Sequence, residues 1–194
     1  MARLTDLARL QSVPARPRPH PKRPRADPWQ MSGTSTPQTG TRRRMADIEL
    51  RSTAFSGETF IPRTYARDGD NLSPPLSWSG VPQEAAELLL LCEDPDAPRG
   101  TFLHWLVTGI DPASGGVEAG QTPPGGTPLT NGFGDRGWGG PHPPPGDRAH
   151  RYFFRLYALP GPVPLRDGAT TGEIHSAVDD RQLASGTLYG LYER

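Results

Sequence analysis

The sequence predicts a mainly β protein, an antiparallel β-sandwich, and three features of the chain point there. The apolar residues fall in short runs, Ala86 to Cys92, Phe102 to Ile110 and His150 to Leu159, of strand rather than helix length. Only one segment, after Thr170, carries a helix-start signature. A parallel sheet would need helical crossovers between its strands, and the sequence has no such alternation.

Taken in order, Ile48 to Phe55 alternates in part, and Ile61 to Leu76 is a loop rich in Gly, Asp, Asn and Pro that ends at Trp78 and the turn Ser79-Gly80. Ala86 to Cys92 (AELLLLC) has the length of a buried strand and stops at Glu93 and Asp94. Phe102 to Ile110 (FLHWLVTGI) is rich in aromatic and β-branched residues. Gly115 to Gly146 is too rich in glycine and proline for a ladder and long for a passive connection. His150 to Leu159 (HRYFFRLYAL) is the clearest strand. Thr170-Thr171-Gly172-Glu173 has capping-box spacing, with Ile174, Ala177 and Val178 at helical intervals and Gly186 as the expected stop. Thr187 to Tyr192 returns to strand composition.

The net charge of zero hides an asymmetry. Residues 1–44 carry ten basic and two acidic side chains, a net +8, while the remainder carries 11 basic and 19 acidic, a net −8. The 24 prolines and only 34% hydrophobic residues imply that part of the chain lacks a core, and the Arg/Pro-rich stretch 1–44 is the place for it. That stretch is expected to be a disordered tail, with the folded domain at 45–194. Three readings compete for the tail: contact with nucleic acid or a membrane surface through its arginines, a bland extension, or a start codon placed too early, with Met45 as the true start. Cys92 is the only cysteine, so no intrachain disulfide forms, and no apolar run is long enough to span a membrane. The basic N-terminus lacks the apolar region of a secretory signal, so the expected address is cytoplasmic.

Titratable residues gather at strand edges in three segments: Glu93-Asp94-Pro95-Asp96-Ala97-Pro98, Phe102-Leu103-His104-Trp105, and Gly139-Gly140-Pro141-His142-Pro143-Pro144 leading to His150-Arg151-Tyr152. The prolines around Asp96 stiffen its turn. Strand parity places His150, Tyr152, Phe154 and Leu156 on one face and Arg151, Phe153, Arg155 and Tyr157 on the other, and groups Phe102, His104 and Leu106. Alone, each residue has a plainer reading: Asp94 and Asp96 as turn caps, His104 as a core histidine, Tyr152 as core or pocket wall. Asn131-Gly132-Phe133-Gly134 lacks the Lys-Ser/Thr of a phosphate loop and reads as a flexible loop.

The order DPDAP, F-x-H-W, G-P-x-P-P and H-R-Y, with the earlier DGDNLSPPLSWSGVP, resembles the phosphatidylethanolamine-binding protein family, in particular its bacterial Raf-kinase-inhibitor-like branch, over about Ile48 to Arg194. The resemblance implies a Greek-key β-sandwich with a few peripheral helices and a pocket for phosphate or another small anion. It implies Asp94, His104, His150 and Tyr152 in that pocket, Gly140 and Pro141 as one wall, and Asp96, Pro98 and Phe102 as structural support. His142 stands where bacterial members often carry Cys, which excludes a thiol role there. The expected function is therefore a ligand-binding module without catalytic residues, metal or cofactor, with regulation of an unknown protein partner as a further expectation. The competing readings are a metal-dependent hydrolase built on Asp94, Asp96, His104, His142 and His150, and an inhibitory interaction protein acting on a kinase or protease. Serine hydrolysis has no G-x-S-x-G elbow to start from.

Overall fold

The apolar run after Ala86 becomes the centre of the molecule. In the computed structural model, which describes residues 46–194, it forms β4 (Glu87–Asp94), every residue of which is buried. The other strands are β1 (Ala46–Asp47), β2 (Glu49–Arg51), β3 (Leu76–Ser79), β5 (Phe102–Ile110), β6 (Gly116–Val117), β7 (Thr127–Pro128), β8 (His150–Leu159) and β9 (Ala184–Tyr192), with one helix, α1 (Thr171–Val178), and a 3-10 turn at Arg63–Tyr65. Six strands form one sheet in the order β1-β9-β8-β4-β5-β7, and β2-β3-β6 form the other. All pairs are antiparallel except the short β1–β9 edge. The spatial order β8-β4-β5-β7, with the long return to β8 beside β4, is the Greek-key connection. The stretch 1–44 and all three readings of it lie outside the described residues.

β4 is apolar from Leu88 to Cys92 because it is covered on both faces. Leu88, Leu90 and Cys92 face the small sheet and pack with Trp78, Trp105, Phe154 and Leu156. Leu89 and Leu91 face the other way and pack with Tyr157, Leu159, Ile174 and Val178 beneath α1. Each such leucine contributes roughly 1.5–3 kcal/mol through burial, so this one strand joins both halves of the core. The parity expected of β8 is present: His150, Tyr152, Phe154 and Leu156 are buried on the inner side.

Two expectations need correction. Phe102, His104 and Leu106 do not share a face, because the β4–β5 register jumps from Cys92 opposite Trp105 to Glu93 opposite Leu103. This bulge lets His104 and Trp105 both turn inward, while Leu106 joins the cluster under the helix. Gly186 does not stop the helix. α1 ends at Val178, and Gly186 sits inside β9, where a Cβ would come within 2.4 Å of the Ile48 carbonyl oxygen. The glycine is required by close strand packing rather than by a helix cap.

The helix start follows the sequence: Thr170 accepts from the Glu173 N–H, and Glu173 accepts in return from the Thr170 N–H at 2.7 Å. Beneath α1, buried Glu93 accepts from Arg155 Nε and His175 Nε2, each at 2.9 Å. Burial opposes ionisation of Glu93, but the His175 and Arg155 hydrogen bonds hold its pKa below the usual value. The hydrogen bond to Glu93 in turn raises the pKa of His175 above its ordinary 6.5, against a smaller effect of burial. A raised folded-state pKa gives stabilisation that is complete below the unfolded value and lost as pH rises through the folded one. The melting-temperature difference between the wild type and His175→Gln should therefore be largest below the ordinary imidazole value of 6.5 and shrink as pH rises above it. A difference independent of pH would mean that the ion pair with Glu93 does not fasten the helix.

Candidate functional site

At the end of β4 the chain enters the Pro-Asp-Ala-Pro turn, and this turn, the start of β5, the start of β8 and the Gly139–Pro144 loop meet around one cavity of about 160 Å³. Asp94, Ala97, Pro98, Phe102, His104, Phe133, His142, Pro143, Pro144, His150 and Tyr152 line it. A larger open groove of about 640 Å³ beside β3 and β6 has Glu118 as its only ionisable lining residue among the described residues, so no titratable groups converge there.

Asp94 holds the site together. One carboxylate oxygen accepts the Asp96 N–H at 2.8 Å and the other accepts His150 Nδ1–H at 2.8 Å. Asp94 and His150 are both almost wholly buried, so each compensates the other's desolvation. With Nδ1 donating to Asp94, His150 directs Nε2 elsewhere; Asp147 Oδ2 is 3.7 Å from it, too long for a hydrogen bond. Asp96 is turned away from the cavity and accepts from the backbone N–H, Nε and Nη2 of Arg151, which hold its pKa down at about 2. Its contacts are with Arg151 and not with the cavity.

His104 is re-aimed by the β5 bulge. Its Nδ1 lies 2.6 Å from the Gly139 carbonyl oxygen. A carbonyl only accepts, so Nδ1 carries the proton. Burial pushes the pKa of His104 down to about 4, so at neutral pH the ring is uncharged and its donor is already used. At Nε2 the neutral ring therefore presents an acceptor rather than a donor to an anion. The ring sits among aromatics, with centroids 4.9 Å from Phe102, 5.6 Å from Phe133 and 5.1 Å from Tyr152.

Tyr152 is fully buried, and its hydroxyl lies beside the Asp94 carboxylate and the His142 backbone but makes no hydrogen bond of normal geometry among the described residues. Burial, with the nearby Asp94 carboxylate, pushes its pKa well above the usual phenol value, so it remains an O–H donor. An unpartnered buried hydroxyl costs about 1–3 kcal/mol, and this one belongs to a residue lining the cavity.

The structure brings Asp94, His104, His150, Tyr152, Pro98 and Phe102 to the cavity, but not Gly140 or Pro141. Gly140 is pressed against the 3-10 turn, where a Cβ would fall 2.3 Å from the Tyr65 carbonyl oxygen, and its N–H donates to Asn71 Oδ1 at 2.8 Å. The Pro141 carbonyl accepts from Arg67 N–H at 3.0 Å. These two residues tether the loop, and the wall is built by the next three, His142 to Pro144. Nor do Asp94, Asp96, His104, His142 and His150 converge as ligands: among the described residues, no three His, Cys, Asp or Glu side chains are grouped to hold a metal ion.

Phe133 escaped the sequence reading. Buried Asn131 accepts the Phe133 and Asp135 N–H groups and donates to the Gly137 carbonyl, an Asx-type turn that plants Phe133 against Phe102. Gly132 and Gly139 make room for the rings: a Cβ on either would lie 2.7 Å from Phe102 or 2.6 Å from Phe133. The Asn-Gly dipeptide was the available signal.

The family model for phosphatidylethanolamine-binding proteins matches residues 51–193. Among curated relatives, a UPF0098 protein of Methanothermobacter thermautotrophicus is 44% identical over 152 residues, covering 76% of this chain and 99% of its own length. A Mycobacterium tuberculosis protein provisionally named as a lipoprotein, LppC, is 41% identical over 146 residues, covering 75% of this chain and 72% of its own. Among solved structures, a phosphatidylethanolamine-binding protein homolog of Chlamydia trachomatis superposes with a TM-score of 0.69 at 36% identity, covering 76% of this chain and 98% of its own. Escherichia coli YbcL, described as a member of the mammalian family, gives 0.71 at 26% identity, covering 77% and 99%.

Tyr152→Phe should leave the melting temperature of the ligand-free protein unchanged or raise it, since the substitution removes only an unsatisfied hydroxyl. A loss of about 1 kcal/mol or more in denaturant unfolding would show that the hydroxyl has a partner in the resting protein.

Proposed function

The chain belongs to the phosphatidylethanolamine-binding protein family, and from that membership we propose that its cavity binds a small oxyanion, phosphate or a phosphorylated headgroup, without a catalytic step. The observation that carries the reading is the unpartnered, fully buried hydroxyl of Tyr152 at a cavity shared with His150. A donor left unsatisfied in the resting protein is satisfied by a bound acceptor. His150 in its protonated form adds Nε2–H, while Asp94 fixes the ring through Nδ1 and balances its charge. Phe102, Phe133 and the proline wall give these donors an apolar surround.

A binding module is favoured over an enzyme because the polar groups of the cavity lack an activated nucleophile. Cys92, the only thiol, is fully buried, and burial pushes its pKa up, which keeps it protonated and inert. A cytoplasmic setting is part of the same proposal; the fold has no cysteine pair that would call for an oxidising compartment. No helix among the described residues is long and apolar enough to cross a membrane.

Calorimetric titration of chelator-treated protein with phosphate and phosphorylethanolamine should show binding of both. His150→Ala should weaken it by at least about tenfold, the worth of a hydrogen bond from a charged donor. Equal affinity in both proteins would remove His150 from the site, and binding seen only after a divalent metal is restored would replace this reading with a metal-dependent one.

A further inference from the structure

Beside His150 Nε2, two further hydrogen-bond positions are open on residues lining the same cavity, and they are of opposite kinds. Tyr152 offers a donor without a partner. His104 offers an acceptor, because Nδ1–H is committed to the Gly139 carbonyl at 2.6 Å, which leaves the lone pair of the neutral ring on Nε2. The two rings meet edge to face, at 5.1 Å between centroids and 80° between planes. A ligand group that satisfies both must accept from one ring and donate to the other.

We propose that the anion bound in this cavity carries a proton of its own, as a phosphate monoester monoanion or dihydrogen phosphate does, in preference to a phosphodiester such as an intact phospholipid headgroup. The inference rests on the anion-binding reading above and specifies its chemistry. A P–OH group donates to His104 Nε2 while a neighbouring phosphoryl oxygen accepts from Tyr152. A diester or a sulfate ester has acceptors only, so its oxygen would face the His104 lone pair in a water-poor site.

Charge supports the same choice. The groups facing His104 are the Asp94–His150 pair at the ends of β4 and β8, Tyr152, His142 on the proline wall, and Arg67, whose guanidinium lies 4.0 Å above the Phe133 ring. Among the described residues no Arg or Lys lines the cavity, and Arg67, behind the Phe133 ring, is paired with Asp135. The second charge of a dianion would find the Asp94 carboxylate nearby and no unpaired Arg or Lys in the lining. Protonating His104 instead would bury a cation among three aromatic rings, and burial already holds its pKa at about 4.

The test compares matched ligands on the full chain by calorimetry: methyl phosphate against dimethyl phosphate, and phosphorylethanolamine against glycerophosphorylethanolamine, at pH 6 and pH 8. A phosphate monoester loses its second proton near pH 6, whereas a diester has none to lose, so the diester's pH dependence reports the protein alone. Each monoester should bind at least about tenfold tighter than its diester at pH 6, and the ratio should shrink at pH 8. His104→Gln, whose side-chain amide can turn a donor towards the ligand, should level the pair at pH 6. Independently of any variant, the nitrogen spectrum of wild-type His104 should show Nε2 unprotonated at both pH values. A diester that binds as well as its monoester, a ratio that grows with pH, or a protonated Nε2 overturns this inference and leaves the anion pocket standing. Silence towards all four ligands overturns the anion pocket and this inference with it.

Discussion

Two adjacent carboxylates at the end of β4 cannot be buried without partners, and the rest of the molecule is arranged to supply them. Strand alternation sends Glu93 to the helix side of the large sheet and Asp94 to the other. Glu93 is met by Arg155 from β8 and His175 from α1. Asp94 is met by His150 from β8 and by the backbone of its own turn. β8 thus serves both carboxylates, from alternate residues on opposite faces. The pairing of β4 with β8, seven residue pairs from Glu87–Leu159 to Glu93–Phe153, makes this geometry rigid. Removing either carboxylate's partner would leave an uncompensated charge in the interior, a more costly defect than loss of an exposed ion pair.

The cavity inherits its chemistry from that arrangement. It contains a negative charge already balanced, one histidine held neutral, one phenol held protonated and walls of rings and prolines. Such a site attracts little from a distance, especially on a domain whose residues after 44 carry a net −8. Its selectivity has to come from local donors and acceptors in a water-poor space. The proline wall suits this role: Pro143 and Pro144 lack N–H groups, and their loop is fixed from behind through Gly139, Gly140 and Pro141. Arg194 adds a further tie by donating to the Pro143 carbonyl at 3.0 Å.

Much of this was legible in the sequence because it depends on local periodicity. The two-residue alternation in HRYFFRLYAL assigned His150 and Tyr152 to one face, and the Thr170–Glu173 spacing located the helix start. The stiff Asp-Pro-Asp-Ala-Pro turn marked the end of the buried strand, and the order of the four motifs identified the family. Length and hydrophobicity alone also indicated that AELLLLC is a strand covered on both sides.

What the sequence by itself determined is the fold class, the family and the identity of Asp94, His104, His150 and Tyr152 as residues meeting at one cavity. Tertiary structure alone decided how they work. The bulge that turns His104 inward breaks the very periodicity from which its facing was read, and a register shift depends on the partner strand. Which residues of the glycine–proline loop form the wall depends on the space beside Tyr65, so Gly140 and Pro141 became the tether and His142 to Pro144 the lining. Phe133 reached the site through an asparagine-ordered turn within a stretch that has no periodicity to read. The protonation state of His104 is set by burial and by one carbonyl 35 positions away, and neither quantity exists before the chain has folded.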